Sequence, residues 1–202
     1  MLENLKNKGK ILVDMRIGAL IYLQLVIFGV AEPDIQPDSQ GYIDGHVSRG
    51  CLYPLLLKAF FSILGQNFQV IVFFQALLGL FSIFFADYKI KKWFDFNGYI
   101  HFLIIVVFMI PYVGQTRIGS AILTEPICYP LFILFFIYYF ESIKSKSYTS
   151  FIISMVLALL LTLARKQFFF IFPMVIVHQI LQFYINKEFL VHKFLLPFSA
   201  IA

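Results

Sequence analysis

Long apolar runs, separated by short polar connectors that carry most of the lysines, leave this chain few ways to fold. A helix needs about 20 apolar residues to cross a bilayer core, because each residue advances it by about 1.5 Å. Six segments approach that length: residues 12–31, 68–87, 99–114, 126–142, 149–165 and 167–185. A seventh begins near Phe194. Composition agrees, since 26 Phe in 202 residues, 13% charge and a mean hydropathy of +0.85 exceed what a soluble core absorbs. The expected fold class is therefore all-α: a polytopic transmembrane helical bundle of about six to seven spans, forming one module over residues 1–202. There is no internal repeat and no low-complexity tract. The chain ends inside an apolar run, residues 194–202, which suggests the N-terminal part of a longer protein.

Basic residues set the expected orientation. Lys6, Lys8, Lys10 and Arg16 flank the start of the first segment. Lys89, Lys91 and Lys92 follow the second, Lys144 and Lys146 the fourth, and Lys187 and Lys193 the sixth. All fall on one side if the N-terminus is cytoplasmic, as the positive-inside rule requires. The net charge of +5 then reports orientation, and no nucleic-acid partner is expected. No small-residue cleavage site follows the first apolar run, so it reads as a retained span rather than a signal peptide. Cys51 and Cys128 are too few for a disulfide framework or a thiolate metal site. Connectors are short: residues 95–98 carry an Asn-Gly turn signal, and residues 141–150 form a Lys/Ser linker.

In this topology residues 32–67 form an extracytoplasmic loop, and its polar stretch 37–57 is the densest cluster of chemistry-bearing side chains in the chain. It holds Asp38, Asp44, His46, Arg49, Tyr42 and Tyr53, with Glu32 and Asp34 just before it. Residues 53–64 read as an interfacial helix, with Lys58, Ser62, Gln66 and Gln69 as a polar stripe. Four further charged residues fall on the same side: Arg117 after the third span, Glu125 at the start of the fourth, and Arg165 and Lys166 between the fifth and sixth. Cations beside an outer leaflet either grip a lipid-linked phosphate or snorkel to headgroups. Glu125 is either a site acid or a helix-start acid favoured by the dipole. Asp38 is either catalytic or the acid of a Pro-Asp-Ser turn. His46 with nearby carboxylates offers a divalent metal a foothold, but one histidine without ligand spacing defines no site. His178 and Gln179 read as interhelical hydrogen-bonding residues, while His101 and His192 carry no functional signal.

Four landmarks in order resemble the GT-C glycosyltransferases, in the branch holding protein O-mannosyltransferases and the lipid A aminoarabinose transferase. Pro37-Asp38-Ser39-Gln40-Gly41-Tyr42 is similar to the family's acidic Asp-x-x-x-Tyr element in its first external loop. Arg49-Gly-Cys-Leu-Tyr53-Pro54 resembles its Arg-x-Pro-x-Tyr-Pro run, with Cys51 in place of proline. Leu123-Thr124-Glu125-Pro126 resembles the acid heading its fourth span, and Leu163-Ala164-Arg165 the cation closing its fifth, with Lys166 where proline is frequent. The adjacent Asp-Glu pair of the O-mannosyltransferases is absent, because Ser39 follows Asp38.

The resemblance implies inverting transfer of a sugar from a polyprenyl-phosphate carrier to an extracytoplasmic glycan, lipid or protein acceptor, at a bacterial plasma membrane. Asp38 would be the general base and Glu125 a second catalytic or acceptor-positioning acid. Arg49, Arg117, Arg165 and Lys166 would hold the donor phosphate, with Tyr42 and Tyr53 as packing or sugar contacts. No cofactor is firmly implied, and a divalent metal stays open. Two rival classes are a polytopic transporter or flippase and a non-catalytic membrane assembly subunit. Span interiors poor in charge weigh against the transporter.

Overall fold

In a computed structural model the described residues are 32–45, 50–94, 96, 98–113 and 118–186, together with Gly18. The basic N-terminal residues, the expected first span apart from Gly18, and the segment from Phe194 lie outside them. Among the described residues the fold is all-helical: α1 (Pro37–Ile43), α2 (Leu52–Leu64), α3 (Phe68–Trp93), α4 (Gly98–Val113), α5 (Glu125–Ser145), α6 (Tyr148–Ala164) and α7 (Ile171–Asn186). A 3-10 turn, Lys166–Phe170, leads into α7.

Two of these helices, α3 with 26 residues and α5 with 21, are long and apolar enough to cross a membrane. Helices α4 and α6 are apolar but shorter. Helix starts follow local chemistry. The Asn67 side chain accepts from the Gln69 amide at 3.1 Å and caps α3. Helix α5 opens on Thr124, Glu125 and Pro126, an acid and a proline where the helix dipole and the missing N–H suit them. Between α5 and α6, Lys146 takes a left-handed conformation and the Ser147 hydroxyl accepts from the Ser150 amide at 3.3 Å, so the chain reverses in two residues.

Helix α5 is the centre of the bundle, with α3 and α6 packed on it and α4 on α3. Phe135, Ile71, Ile83, Ala158 and Leu161 are fully buried between these helices. Gly79 lets the buried Tyr112 ring of α4 lie against α3, since any side chain there would meet the phenol.

Side-chain contacts fix the helix directions. Lys89 of α3 bonds both carboxylate oxygens of Glu141 in α5, at 2.7 and 2.6 Å. Lys144 donates to the Trp93 carbonyl at 2.9 Å, so α3 and α5 end side by side and run parallel. His101, near the start of α4, lies 3.1 Å from the buried Asp87 of α3, which also pairs with Lys91 at 2.7 Å. Lys89, Lys91 and Lys144, assigned by sequence to one face, therefore share one end of the bundle. His101, which carried no signal in the sequence, clasps α4 to α3 there.

Two details differ from the sequence reading. Lys58 and Ser62 lie exposed on α2, but Gln66 and Gln69 belong to the connector and to α3. Gly65, at φ +70, ends α2 first, so no single four-residue stripe exists. Pro37-Asp38-Ser39 opens a short helix rather than a turn, because the Ser39 hydroxyl accepts from the Gln36 amide at 2.9 Å.

Candidate functional site

At the other end of the bundle, three stretches distant in sequence come together. The first contact is a parallel bridge. The Asp34 amide donates to the Ser120 carbonyl at 2.9 Å, and the Ile122 amide donates to the Asp34 carbonyl at 3.0 Å. This pins the start of the loop 32–67, the polar island of the chain, to the segment that runs into Glu125. The Asp34 carboxylate accepts from the Gln36 amide at 2.9 Å, and the Asp44 carboxylate from that of Gln40 at 2.9 Å, so both acids are held locally.

The second contact is a close approach. Gly50 has φ +99, and a Cβ there would lie 2.5 Å from the Ala164 carbonyl oxygen and 2.8 Å from that of Leu163. Gly50, just before α2, thus rests directly on the last carbonyls of α6. Only glycine combines that backbone angle with that proximity. Immediately afterwards Arg165 leaves the helix in an extended conformation.

The third contact joins the charges. Arg165 Nη1 donates to Glu125 Oε1, an ion pair across the end of α6 and the start of α5. Both side chains are 37% exposed, so the pair faces solvent and can be reached by a ligand. The Thr124 hydroxyl lies 3.4 Å from the other Glu125 oxygen.

Beneath this surface the aromatic residues form a floor. Tyr42 meets Tyr53 edge to face at 5.5 Å between ring centroids, and both are buried. The Tyr53 hydroxyl accepts from the Gln75 side-chain amide of α3 at 2.7 Å. Burial pushes that hydroxyl well above its ordinary range, with smaller upward pushes from Tyr42 and Glu125 and a partial offset from the Gln75 hydrogen bond. Tyr53 therefore stays protonated, and at 1% exposure it supports the site rather than touching a sugar.

Tyr42, Tyr53, Glu125 and Arg165 are thus assembled at one end, as components of one surface and its floor. Asp38 is exposed in the first turn of α1, and Lys166 is exposed at the head of the 3-10 turn. Arg49, Arg117 and His46 lie outside the described residues. Among the described residues no three His, Cys, Asp or Glu side chains gather as a metal site.

Sequence reasoning missed three contributors. Gln75 was visible as a lone amide inside an apolar run, which is the usual mark of a specific partner. Gly50 stood within a quoted motif without a role. Lys58, read only as part of a polar stripe, reaches toward the island, its Nζ 3.1 Å from where a Gly45 Cβ would be.

The fold and this end of it define an all-helical protein whose polar surface is built from three loops around an acid–arginine pair. Compared with models of known protein families, with curated proteins and with solved structures, the chain matches none.

Proposed function

We propose that the protein is a membrane glycosyltransferase, which moves a sugar from a polyprenyl-phosphate carrier to a glycan, lipid or protein acceptor outside the cytoplasm. The observation that carries the proposal is the Glu125–Arg165 pair, accessible and adjacent to the docked island. In this reading the acceptor oxygen attacks the anomeric carbon as the bond from that carbon to the phosphate oxygen breaks. The bonding electrons leave with the phosphate, whose added negative charge Arg165 and Lys166 offset. Asp38 takes the acceptor proton. Glu125 borders the acceptor side, with the buried Thr124 behind it.

Helices α3 and α5 supply two spans, and α4, α6 and α7 supply shorter ones in a multi-pass bundle. Helix α2 lies along the interface, where its exposed Leu55, Ile63 and Leu64 meet lipid. The test supplies purified protein in vesicles with a panel of polyprenyl-phosphate sugars and a cell-envelope extract as acceptor. One donor is expected to be consumed, with release of polyprenyl phosphate. No turnover of any donor would set the proposal aside.

One observation favours a second reading, a transporter or lipid flippase. Tyr139 of α5 lies 2.6 Å from His178 Nδ1 of α7, and Gln182 lies 3.3 Å from His178 Nε2, with Gln179 buried beside them. A titratable group on an apolar span can mark a transport path. Lipid translocation without donor turnover in the same vesicles would select this reading.

A further inference from the structure

We infer that Glu125 is a built-in competitor for Arg165, so that a lipid phosphate must take the guanidinium from it before the acceptor side of the site is free. The inference rests on the lipid-phosphate donor proposed above and adds an order of events to it.

The geometry carries the argument. A guanidinium presents five N–H donors in a planar fork, suited to two parallel bonds with one phosphate. Here Nη1 of that fork is engaged by Glu125 Oε1. The pair joins the end of one helix to the start of another. Both backbones are held in place, by Pro126 at the head of α5 and by Gly50 against the last carbonyls of α6. Exchange of partners is therefore a movement of side chains alone. Both groups are 37% exposed, so water and salt already weaken their attraction. A phosphate that bonds the fork twice gains more from Arg165 than a carboxylate held by one bond.

Once displaced, the Glu125 carboxylate keeps its Oε2 beside the Thr124 hydroxyl, and Oε1, released by Arg165, can accept from another donor. A hydroxyl-bearing acceptor then finds a hydrogen-bond acceptor that was engaged before. Donor binding thus precedes acceptor binding. Glu125 opposes the first step and serves the second.

The test measures binding of polyprenyl phosphate to the purified protein in phosphatidylcholine nanodiscs at low salt, for wild type, Glu125→Gln, Arg165→Ala and the double variant. Glu125→Gln is expected to bind roughly 1.5- to 5-fold tighter, the range set by the strength of an exposed ion pair. Arg165→Ala is expected to bind more weakly than wild type, and the gain from Glu125→Gln should vanish in its background. Unchanged or weaker binding by Glu125→Gln overturns the competitor role. A gain that persists without Arg165 overturns it too, because it would reflect general charge repulsion.

If wild type binds no polyprenyl phosphate, the donor reading fails and the inference falls with it; binding without a Glu125→Gln gain removes the inference alone. Phosphatidic acid is the control ligand. Equal binding and equal gain with it would keep the competitor role but assign it to phosphate headgroups at large, at the expense of the donor.

Discussion

Replacing Asp38 with asparagine is expected to lower sugar transfer by about 100- to 10,000-fold, the usual contribution of a positioned general base. The substitution keeps the size and shape of the side chain and removes its ability to take a proton. Folding should be little affected. Asp38 is exposed, lies in the first turn of a seven-residue helix, and is replaced by a residue that suits helix starts as well. Donor consumption in vesicles, normalised to inserted protein, is the measurement. Near-normal rates in the variant would remove Asp38 as the base and move the search to Glu125.

Gly50→Ala is expected to be the most damaging small substitution in the polar island. Its backbone sits at φ +99, which costs a residue with a side chain about 1–3 kcal/mol. The added methyl would also lie 2.5 Å from the Ala164 carbonyl oxygen, a backbone atom that cannot swing away. Relief requires lifting the loop from α6, which separates the island from Arg165. Overpacking of this kind adds about 1–3 kcal/mol. Gly65→Ala is the internal control. Gly65 has a similar backbone angle, φ +70, but nothing lies within 4 Å of its Cβ position. Thermal unfolding in detergent should therefore show a much larger loss for Gly50→Ala, accompanied by loss of transfer. Equal losses for the two variants would mean that the loop does not dock on α6.

Much of the helical architecture was legible in the sequence. Apolar length and bordering lysines located α3, α4, α5 and α6 to within a few residues at most boundaries. The largest discrepancy there is the end of α3, which continues to Trp93 through lysines that marked the span's limit. Within the helix Lys89 pairs with Glu141, a contact that no local pattern encodes. The segment 167–185 opens with a 3-10 turn before α7. Helix α1 was hidden because Pro-Asp-Ser suits a helix start and a turn equally well.

The site was legible by parts. Glu125 and Arg165 stood out as charges at the ends of apolar runs. Their meeting depends on the antiparallel return of α6 along α5, which the two-residue connector makes natural. The docking of Gly50 on Ala164 and the bridge from Asp34 to Ala121 were not legible. Periodicity reports which face of a helix is apolar, and says nothing of which loops touch.

The proposed base, phosphate clamp and donor depend on one claim: the end of the bundle carrying Asp38, Glu125 and Arg165 faces away from the cytoplasm. The native cysteines report on it, because Cys51 at the head of α2 is exposed while Cys128 in α5 is buried. A membrane-impermeant maleimide, applied to intact cells expressing the protein, is predicted to label it, and Cys51→Ser should abolish the label. Labelling of Cys51 only after the membrane is permeabilised would contradict the account.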